Sequence, residues 1–492
     1  MKKIIATLKI STLITMLFFS AQFSNAQVGI NTTSPDPSSM LDVSATDKGM
    51  LTPRMTTAQK NAITTPANGL LVYDTDYKEF SYYDAVAGWI NIKQGRTNFK
   101  RIKSTDVLAN VLAAELLAGG GTKYVMSANT LYEINGTVFF DFPIEMNNAY
   151  ISGLDSGDDK IVRTTGNIFD GATGGTIKGL TLVAAAGKVF NISGANTENI
   201  IFRDCIVANS FSVGSINGLG LVFFSVVQFS GNTTGIEYSN ISQLLLSNMG
   251  WFGNNSGTFE KLTGSFGLVQ KQGGFSDVTS ATFGFDVSGN PTISSDAVLE
   301  SVVFTGDATG TKYVNPYPLA QRYPGYNFSN SWNVRSTGIP NETDADAGGG
   351  FSMDYGVGTG ISVAINNNNP SSTVKVGTIA TSSPTTNLFR FSSDSPNNLK
   401  YLGKKKRIFQ VTGSISIQVP GAATYIVYIS KNGTALSEYK VYGRGQVNAD
   451  IIVLPIIGNV ELSNGDYVDI RLQRFTGVTS NPIVPNLTII LR

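Results

Sequence analysis

The chain has 492 residues, of which 41% are hydrophobic and 14% are charged, so it can bury large cores and is neither a disordered chain nor a coiled coil. Its formal charge of +1 leaves no excess of cations to follow a phosphate backbone, which argues against a nucleic-acid partner. The sequence contains no histidine and one cysteine, Cys205, which excludes imidazole-dependent catalysis, an intrachain disulfide and a cysteine-built zinc site.

Residues 1–26 have the organisation of a secretory signal peptide. Two lysines give a basic start, a mostly apolar run follows over residues 10–19, and small residues precede a predicted cleavage after Ala26. The apolar run is shorter than the ~20 residues of a transmembrane helix, and no later stretch is long or apolar enough to span a bilayer. We therefore expect an exported chain, secreted or held at the cell surface, without a membrane span.

Residues 27–95 are predicted to form a separate β-rich leader and attachment module, because short apolar pieces alternate with Pro- and Gly-containing turns. Its motifs occur in the order Met40-Leu41-Asp42-Val43, Thr57-Ala58-Gln59-Lys60, Leu71-Val72-Tyr73-Asp74 and Gly88-Trp89-Ile90. This order closely resembles the N-terminal leader module of many exported surface and fibre-like proteins of Bacteroidetes-type bacteria. The resemblance implies attachment to a fibre-like assembly. Such short strands bury too little surface alone, so pairing between chains is expected.

A helix is predicted over residues 104–118, capped at its start by Ser104 or Thr105 and ended by three glycines at 119–121. Its apolar residues recur at helical spacing and fall on one face. We expect this short amphipathic helix to cover the first open coil of the β region that follows it.

Residues 97–312 are predicted to form a right-handed parallel β-helix, because two interleaved series of short apolar strands repeat at steps of 21 to 25 residues. One strand per turn in each of two stacked sheets accounts for both series. The repeat pattern resembles that of the pectate-lyase-like β-helix superfamily and of phage tailspike shafts. The first series begins at Phe190, Phe211, Ile236, Phe259 and Phe283, and the second at Ile200, Leu221, Leu244 and Phe266.

Residues 313–352 are predicted to be an aromatic cap followed by a linker. Tyr317, Tyr323, Tyr326 and Trp332 allow two interpretations, a platform on which sugar rings stack or a plug that shields the last solenoid coil. We favour the plug, because an open solenoid end needs a cover. Residues 341–350 are acidic and glycine-rich, which predicts a flexible linker.

Residues 353–492 contain longer alternating strands, which predict a β-sandwich. The order of a Lys431-Asn432-Gly433 turn, a Gly465-Asp466-Tyr467 turn and a final apolar strand resembles the C-terminal jelly-roll heads of C1q/TNF-like type on phage and viral fibres. The resemblance implies a trimeric head, in which the second turn delivers an aromatic side chain into the core. The fold class predicted for the whole chain is therefore all-β: a leader, a parallel β-helix and a jelly-roll sandwich.

The only dense charged cluster of the early solenoid comprises Asp155, Asp158, Asp159, Lys160 and Arg163. β-helix lyases use acids around calcium and a basic side chain as base, so a polysaccharide-cleaving groove is one interpretation. An ordinary polar turn is the other, and it is favoured because Asp and Gly prefer such corners. No pair of acids recurs at the spacing that glycoside hydrolysis requires.

Three acids in one strand series, Glu237, Glu260 and Asp286, are expected to stack on an exposed face. Asp344 and Asp346 offer too few oxygens for calcium, so no cofactor is predicted, with calcium kept as the alternative. The basic run from Lys404 to Arg407 is expected to be a solvated loop or edge guard, or a contact for an anion or an acidic glycan.

The preferred function is an exported, fibre-like adhesive protein, assembled as a homotrimer and contacting a surface polysaccharide or a receptor. Two alternatives stay open. The first is a polysaccharide lyase or glycoside hydrolase acting on the β-helix face. The second is a prophage tailspike-like protein, which is disfavoured because a virion part assembled in the cytoplasm needs no signal peptide.

Overall fold

The computed structural model describes residues 2–19, 27–92, 98–307, 309–365, 372–377 and 385–492. The chain divides into two compact units, residues 1–97 and residues 98–492. Helix α1 (Lys2–Phe19) belongs to the first unit, and the cleavage site predicted after Ala26 lies outside the described residues. Among the described residues, no helix combines the length and the apolar character needed to cross a membrane.

The leader in the first unit consists of short strands and one short helix. Thr56 and Gln59 form a capping box at the start of that helix. The buried Lys60 ammonium pairs with the Asp74 carboxylate at 2.7 Å and so ties the helix to the sheet. The elements are β1 (Val28–Ile30), β2 (Leu41–Val43), β3 (Arg54–Met55), α2 (Thr57–Asn61), β4 (Leu71–Asp74), β5 (Glu79–Asp84) and β6 (Gly88–Asn91).

The second unit begins with a parallel β-helix, as the spacing of apolar strands predicts. Helices α3 (Leu108–Val111) and α4 (Ala113–Ala118) lie between its first two strands. The strands are β7 (Phe99–Lys103), β8 (Tyr124–Val125), β9 (Leu131–Asn135), β10 (Thr137–Phe139), β11 (Ile144–Glu145), β12 (Tyr150–Ser152), β13 (Lys160–Arg163), β14 (Phe169–Gly171), β15 (Gly175–Lys178), β16 (Thr181–Ala184), β17 (Lys188–Ser193), β18 (Asn199–Ala208), β19 (Ser212–Asn217), β20 (Leu221–Ser230), β21 (Ile236–Ser239), β22 (Gln243–Trp251), β23 (Thr258–Thr263), β24 (Ser265–Phe266), β25 (Leu268–Asp277), β26 (Phe283–Asp286), β27 (Thr292–Ile293), β28 (Ala297–Thr305), β29 (Val314–Asn315) and β30 (Trp332–Thr337).

The coil has three faces rather than the two that the sequence predicts. Face A contains β7, β9, β12, β15, the first halves of β18, β20, β22, β25 and β28, and then β30. Face B contains β10, β13, β16 and the second halves of the same long strands, and face C contains β8, β11, β14, β17, β19, β21, β23, β26 and β29. A residue with positive φ makes the corner within each long strand. These corner residues are Asp204, Val226, Asn248, Gly273 and Ser301.

Strand pairing stacks equivalent outward residues into rows. Row A is one outward row of face A and is largely apolar, whereas row C, one outward row of face C, is polar throughout. Row A consists of Phe99, Leu131, Tyr150, Thr176, Ile201, Phe223, Leu245, Gln270, Val298 and Asn333. Row C consists of Asp170, Asn191, Ser215, Glu237, Lys261, Asp286 and Asn315.

The acidic stack expected from the sequence is not formed, because the register differs by one residue. Glu260 pairs with Ile236, so its side chain lies inside the coil and is fully buried, whereas Glu237 and Asp286 stay in row C with Lys261 between them. The first strand series is shifted in the same way at Phe211, which precedes β19 and is exposed. In the second series, Phe266 lies in β24 rather than on face A.

The cap at the start of the coil differs in detail from the predicted single helix over residues 104–118. The helix is broken at Leu112, and Val107 precedes it without a side-chain cap. Leu108 and Leu112 nevertheless join the buried core of the coil. The Glu115 carboxylate, also buried, accepts from Lys100 at 2.7 Å and so joins the cap to β7.

A β-sandwich of two antiparallel sheets follows, as predicted. The predicted hairpin at Lys431-Asn432-Gly433 is confirmed, since β38 and β39 pair across it. The second turn behaves differently, because Val468 enters the core while Tyr467 is only half-buried. The strands are β31 (Gly348–Asp354), β32 (Ile361–Ser362), β33 (Val374–Lys375), β34 (Thr385–Phe389), β35 (Phe391–Ser392), β36 (Asn398–Tyr401), β37 (Arg407–Gln418), β38 (Ala423–Lys431), β39 (Thr434–Ala435), β40 (Val441–Gly445), β41 (Ile451–Leu462), β42 (Tyr467–Gly477) and β43 (Ile483–Leu491).

The predicted linker over residues 341–350 is wrong. Thr343 caps a short 3-10 helix, Asp344–Asp346, through a capping box, and β31 starts two residues later. The glycines at 348–350 are strand residues that let β31 lie close to its neighbours, and not a flexible tether.

Candidate functional site

The last solenoid coil and the sandwich meet at a polar joint, which we define as the surroundings of Arg390. This side chain, which follows β34, is 1% exposed and lies against the solenoid end. Its guanidinium donates to the backbone carbonyls of Asn330, Trp332 and Glu342 at 3.1, 2.5 and 2.8 Å. It also pairs with the Asp344 carboxylate at 2.9 Å. Arg390 therefore fixes the sandwich to the coil at several points.

The basic run from Lys404 to Arg407 keeps its three lysines exposed, as expected of a solvated loop, but it is also joined to the solenoid. Lys404 pairs with Asp296 of the solenoid at 2.8 Å, and the Lys405 backbone N–H donates to Asp344 at 2.7 Å. A cleft of about 380 Å³ remains between this run and the outer surface of the coil. It is lined by Val298, Glu300, Asn333, Arg335, Thr343, Asp344, Ala345, Lys405, Lys406 and Arg407.

Glu342 is a buried carboxylate at the same joint. Its two oxygens accept from the backbone N–H groups of Asn327 and Phe328 at 2.7 and 3.0 Å. Burial raises the pKa of Glu342 to about 7, although these two donors and the nearby Arg390 and Arg322 favour the charged form. The charge of this group therefore changes near neutral pH.

Two of the four predicted aromatic ligand residues are core residues. Tyr317 and Trp332 are 2% and 0% exposed, and the Trp332 indole N–H donates to the Tyr317 hydroxyl at 3.0 Å. Tyr317 itself donates to the Pro291 carbonyl at 2.8 Å. Neither ring offers a face on which a sugar could stack, because both faces are covered by the end of the coil. Their burial does not fit the ligand prediction. Trp332 is moreover a residue of β30, so the coil extends past its predicted end at residue 312 and this ring belongs to the coil and not to a plug.

Tyr323 and Tyr326 lie at the surface of the joint. Their rings pack on Phe389 of the sandwich, with centroid distances of 5.4 and 4.1 Å. Tyr323 separates two open grooves. One, of about 610 Å³, is lined by Asn290, Pro291, Thr292, Ile293, Tyr317, Ala320, Gln321, Arg322, Tyr323, Ser329, Asn330, Ser331 and Leu402. The other, of about 620 Å³, is lined by Tyr323, Pro324, Gly325, Tyr326, Pro340, Thr385, Asn387 and Leu388.

The charged cluster at residues 155–163 forms a closed turn. The Asp159 carboxylate accepts from the backbone N–H groups of Gly136, Leu154 and Asp155 at 2.8, 2.7 and 3.1 Å. Burial opposes its ionisation, but these donors hold the pKa of Asp159 below its ordinary value. The Asp159 carboxylate thus accepts hydrogen bonds from the backbone of its own turn. This arrangement fits a structural turn better than a catalytic acid or base.

The two basic members of that cluster differ in environment. Arg163 is buried and donates from Nε to the Thr165 carbonyl at 3.1 Å, and burial lowers its pKa. Lys160 begins β13 and is half-buried. The lyase or hydrolase alternative, which needs Asp158 with these groups, stays a prediction. Within the described ranges, no three acidic or cysteine side chains are grouped closely enough to hold a metal ion.

Sequence reasoning missed Arg390 and Glu342. The sequence gives no signal for Arg390, since a basic residue between Phe389 and Phe391 matches the ordinary alternation of a strand. It gives no signal for Glu342, which composition assigns to a linker. Both roles depend on where the sandwich docks, and no local pattern encodes that position.

Residues 29–106 match a family model described as a phage tail like trimerisation region. A search of the curated proteins found no significant match. Bacteriophage CBA120 tailspike protein 4, enzymatically active domain, is 9% identical over 91% of this chain and 78% of that chain, with a TM-score of 0.20. Geobacillus virus E2 ORF18 is 10% identical over 87% of this chain and 92% of that chain, with a TM-score of 0.23.

Murine APRIL is 8% identical and covers 30% of this chain and 98% of its own, with a TM-score of 0.20. At such TM-scores the fold is described from the strand pairings of this chain alone. The family match covers 78 residues of 492, so it characterises a segment and not the whole chain. This chain is therefore a parallel β-helix and β-sandwich protein whose residues 29–106 are similar to a phage tail like trimerisation region.

Proposed function

We propose that this chain is the subunit of a homotrimeric, tailspike-like fibre, in which the leader joins the copies, the β-helix forms the shaft and the sandwich forms the head. The observation that carries the proposal is the match of residues 29–106 to a phage tail like trimerisation region. It supports the tailspike-like alternative better than the adhesive fibre preferred from the sequence. In this proposal, the predicted signal peptide of residues 1–26 exports the chain to the cell surface or the medium.

The leader supports the proposal through its exposed apolar residues. In the pair of strands β1 and β2, Val28, Ile30 and Leu41 are 54%, 52% and 50% exposed. Two three-residue strands cannot bury these side chains within one copy. Covering apolar surface stabilises by about 25 cal/mol per Å², which favours association of copies through this segment.

The sandwich supports it through an apolar sheet face. β37, β41 and β43 are neighbours in one sheet and leave alternate side chains on the outer side. Exposed residues on this side are Ile408, Ile451, Val453, Ile457 and Ile490. These apolar side chains stand among polar neighbours such as Ser416 and Thr412, and their exposure favours contact with a partner. A trimeric head, as the C1q/TNF-like resemblance implies, would cover it.

The groove beside Tyr323 is the proposed contact for a surface polysaccharide. Asn290, Gln321, Arg322 and Asn330 supply amide and guanidinium groups around the tyrosine ring. Such groups hydrogen-bond to hydroxyls while the ring packs on an apolar sugar face. Both grooves lie where the shaft ends and the head begins.

Light scattering on the full chain tests the assembly. We expect three times the mass of one chain, and a lower mass for a variant carrying Ile30→Ser and Leu41→Ser. The control is Val86→Ser, which removes an exposed apolar side chain from the β5–β6 turn. A single-chain mass for the unmodified protein at micromolar concentration contradicts the proposal.

A glycan array tests the groove. Binding should fall at least tenfold in Tyr323→Ala and stay unchanged in Tyr77→Ala, an exposed tyrosine of the leader. Equal binding by both variants places the ligand elsewhere. Release of reducing ends or unsaturated products from bound polysaccharide would instead favour the enzyme alternative, with Asp158→Asn as its control.

A further inference from the structure

Row A runs along the middle of face A as a largely apolar row, beside an outward row that contains Lys178, Arg203 and Glu300. At its last two members, Val298 and Asn333, the run from Lys405 to Arg407 forms the opposite wall of a cleft. The side chains at the centre of row A point outward, because they lie between core residues. Ile201 lies between Ile200 and Phe202, both 0% exposed, and is itself only half-buried. Phe223 and Leu245 repeat this arrangement in the next two coils. Three apolar side chains are thus stacked directly on one another at the surface.

Row C gives the contrast within the same coils. Its outward side chains include Asn191, Ser215, Glu237 and Lys261, and Lys261 pairs with Glu237 at 3.5 Å. Both rows belong to strands whose inner side chains fill the same core. The difference in polarity therefore reflects what each face meets outside the coil, and row C is suited to water.

The two ends of row A identify its occupant. Row A starts at Phe99 of β7, and β7 lies inside the matched trimerisation region, residues 29–106. At the other end, Val298 lines the cleft whose opposite wall includes Arg407. The next residue, Ile408, is 65% exposed and belongs to the apolar sheet face of the sandwich. Row A thus runs from the trimerisation region to the cleft below the head, whose walls also carry Glu300, Arg335 and Lys406.

A closed ring of three copies brings two different surfaces of each copy into contact. Face B offers the second surface. Phe139 and Val303 are 63% and 39% exposed on it, and Phe275, which pairs with Val303 from the preceding coil, is half-buried. Faces A and B meet at the row of corner residues that contains Asp204 and Val226.

We infer that row A packs against face B of a second copy of this chain, so that the corner row lies near the three-fold axis and face C is turned outward. This inference rests on the proposed trimer. It assigns the polar row C, and not row A, to the surface that solvent and ligands reach along the shaft. Burying row A also accounts for the absence of charge along it from Leu131 to Val298.

Spin-label distances in the full chain test this arrangement with two matched positions. Ser225 lies on face A beside row A, and Ser215 belongs to row C. Both are half-buried serines, and their strands, β20 and β19, are consecutive in the chain. Each is changed to cysteine and labelled. The native Cys205 stays unlabelled, because it is 2% exposed and burial raises its thiol pKa to about 12.

We expect a shorter distance between copies for Ser225→Cys than for Ser215→Cys. Equal distances, or a shorter one at Ser215, overturn the packing while light scattering still gives three chains. A single-chain mass overturns the proposed trimer and the packing together. As a second measurement, Phe223→Asp should lower the thermal midpoint of the assembly by several degrees and Ser215→Asp should not. The opposite order contradicts the inference.

Discussion

The Glu260 carboxylate and the Lys271 ammonium form an ion pair at 2.6 Å in the interior of the solenoid, where neither side chain is exposed. Glu260 projects from face C and Lys271 from face A, so the pair spans the core between two sheets. The Tyr238 hydroxyl is buried close by and has no hydrogen-bond partner among the described residues. Burial, and then the Glu260 charge, raises the pKa of Tyr238 well above its ordinary value.

Removing one member of this pair should destabilise the coil strongly. Lys271→Met leaves an unpaired buried carboxylate, with an expected cost of about 3–5 kcal/mol, whereas replacing both residues with Glu260→Leu and Lys271→Met should recover most of the loss. The measurement is unfolding by heat or denaturant. Lys261→Met is the control, because its pair with Glu237 is half-exposed and worth less than about 1 kcal/mol. An equal effect of the two single changes would argue against a dry interior at Lys271.

Arg390 should contribute strongly to the stability of the contact between the sandwich and the last coil. Arg390→Met removes the donors to three carbonyls and leaves Asp344 without its cation, with an expected loss of about 2–4 kcal/mol at the joint. Limited proteolysis should then cut between coil and sandwich at least tenfold faster. Arg444→Met, an exposed arginine with one bond to Thr424, is the control. Unchanged proteolysis would show that the sandwich docks through other contacts.

Glu342 should make the joint more stable in mild acid. Because the pKa is about 7 in the folded chain and about 4.5 when exposed, the folded state binds more protons between these values. Stability from this group is therefore complete below about pH 4.5, falls as pH rises, and reaches its minimum above about pH 7. The full change is about 3 kcal/mol.

The measurement for Glu342 is the difference in unfolding free energy between the native chain and Glu342→Gln from pH 5 to 8. The difference isolates this group from Asp74, whose pKa of about 2 gives the opposite trend at lower pH. Arg322 and Arg390 are the charged side chains that act on Glu342. A difference independent of pH would show that Glu342 stays charged.

Val226 should be strained. Its φ is +54°, in the left-handed region that β-branched residues avoid, while Asn248 and Gly273 fill the equivalent corner in the next coils. Val226→Gly should therefore raise the stability of the isolated coil by about 1 kcal/mol, read as a higher thermal midpoint. Val162→Gly, on an extended strand of face B, should lower it. A lower midpoint for Val226→Gly would mean that the side chain makes contacts worth more than the strain.

The order of elements can be predicted without coordinates, because strand spacing and turn chemistry are local. The repeating apolar pieces predict the coil, and Asn432 with Gly433, both at positive φ, gives the hairpin that forms. Cys205, which follows Asp204 and precedes Ile206 and Val207 in the repeating region, is buried. The exclusions based on the lack of histidine also need no structure.

Only the tertiary structure decided register and docking. A shift of one residue turns Glu260 inward toward Lys271, and nothing in the local pattern distinguishes this from the outward register, since two strands with the same period fit either way. Arg390 and Glu342 acquire their partners from segments far apart in the chain. These partners depend on how the sandwich docks on the last coil. That contact is tertiary, and the local spacing of residues does not predict it.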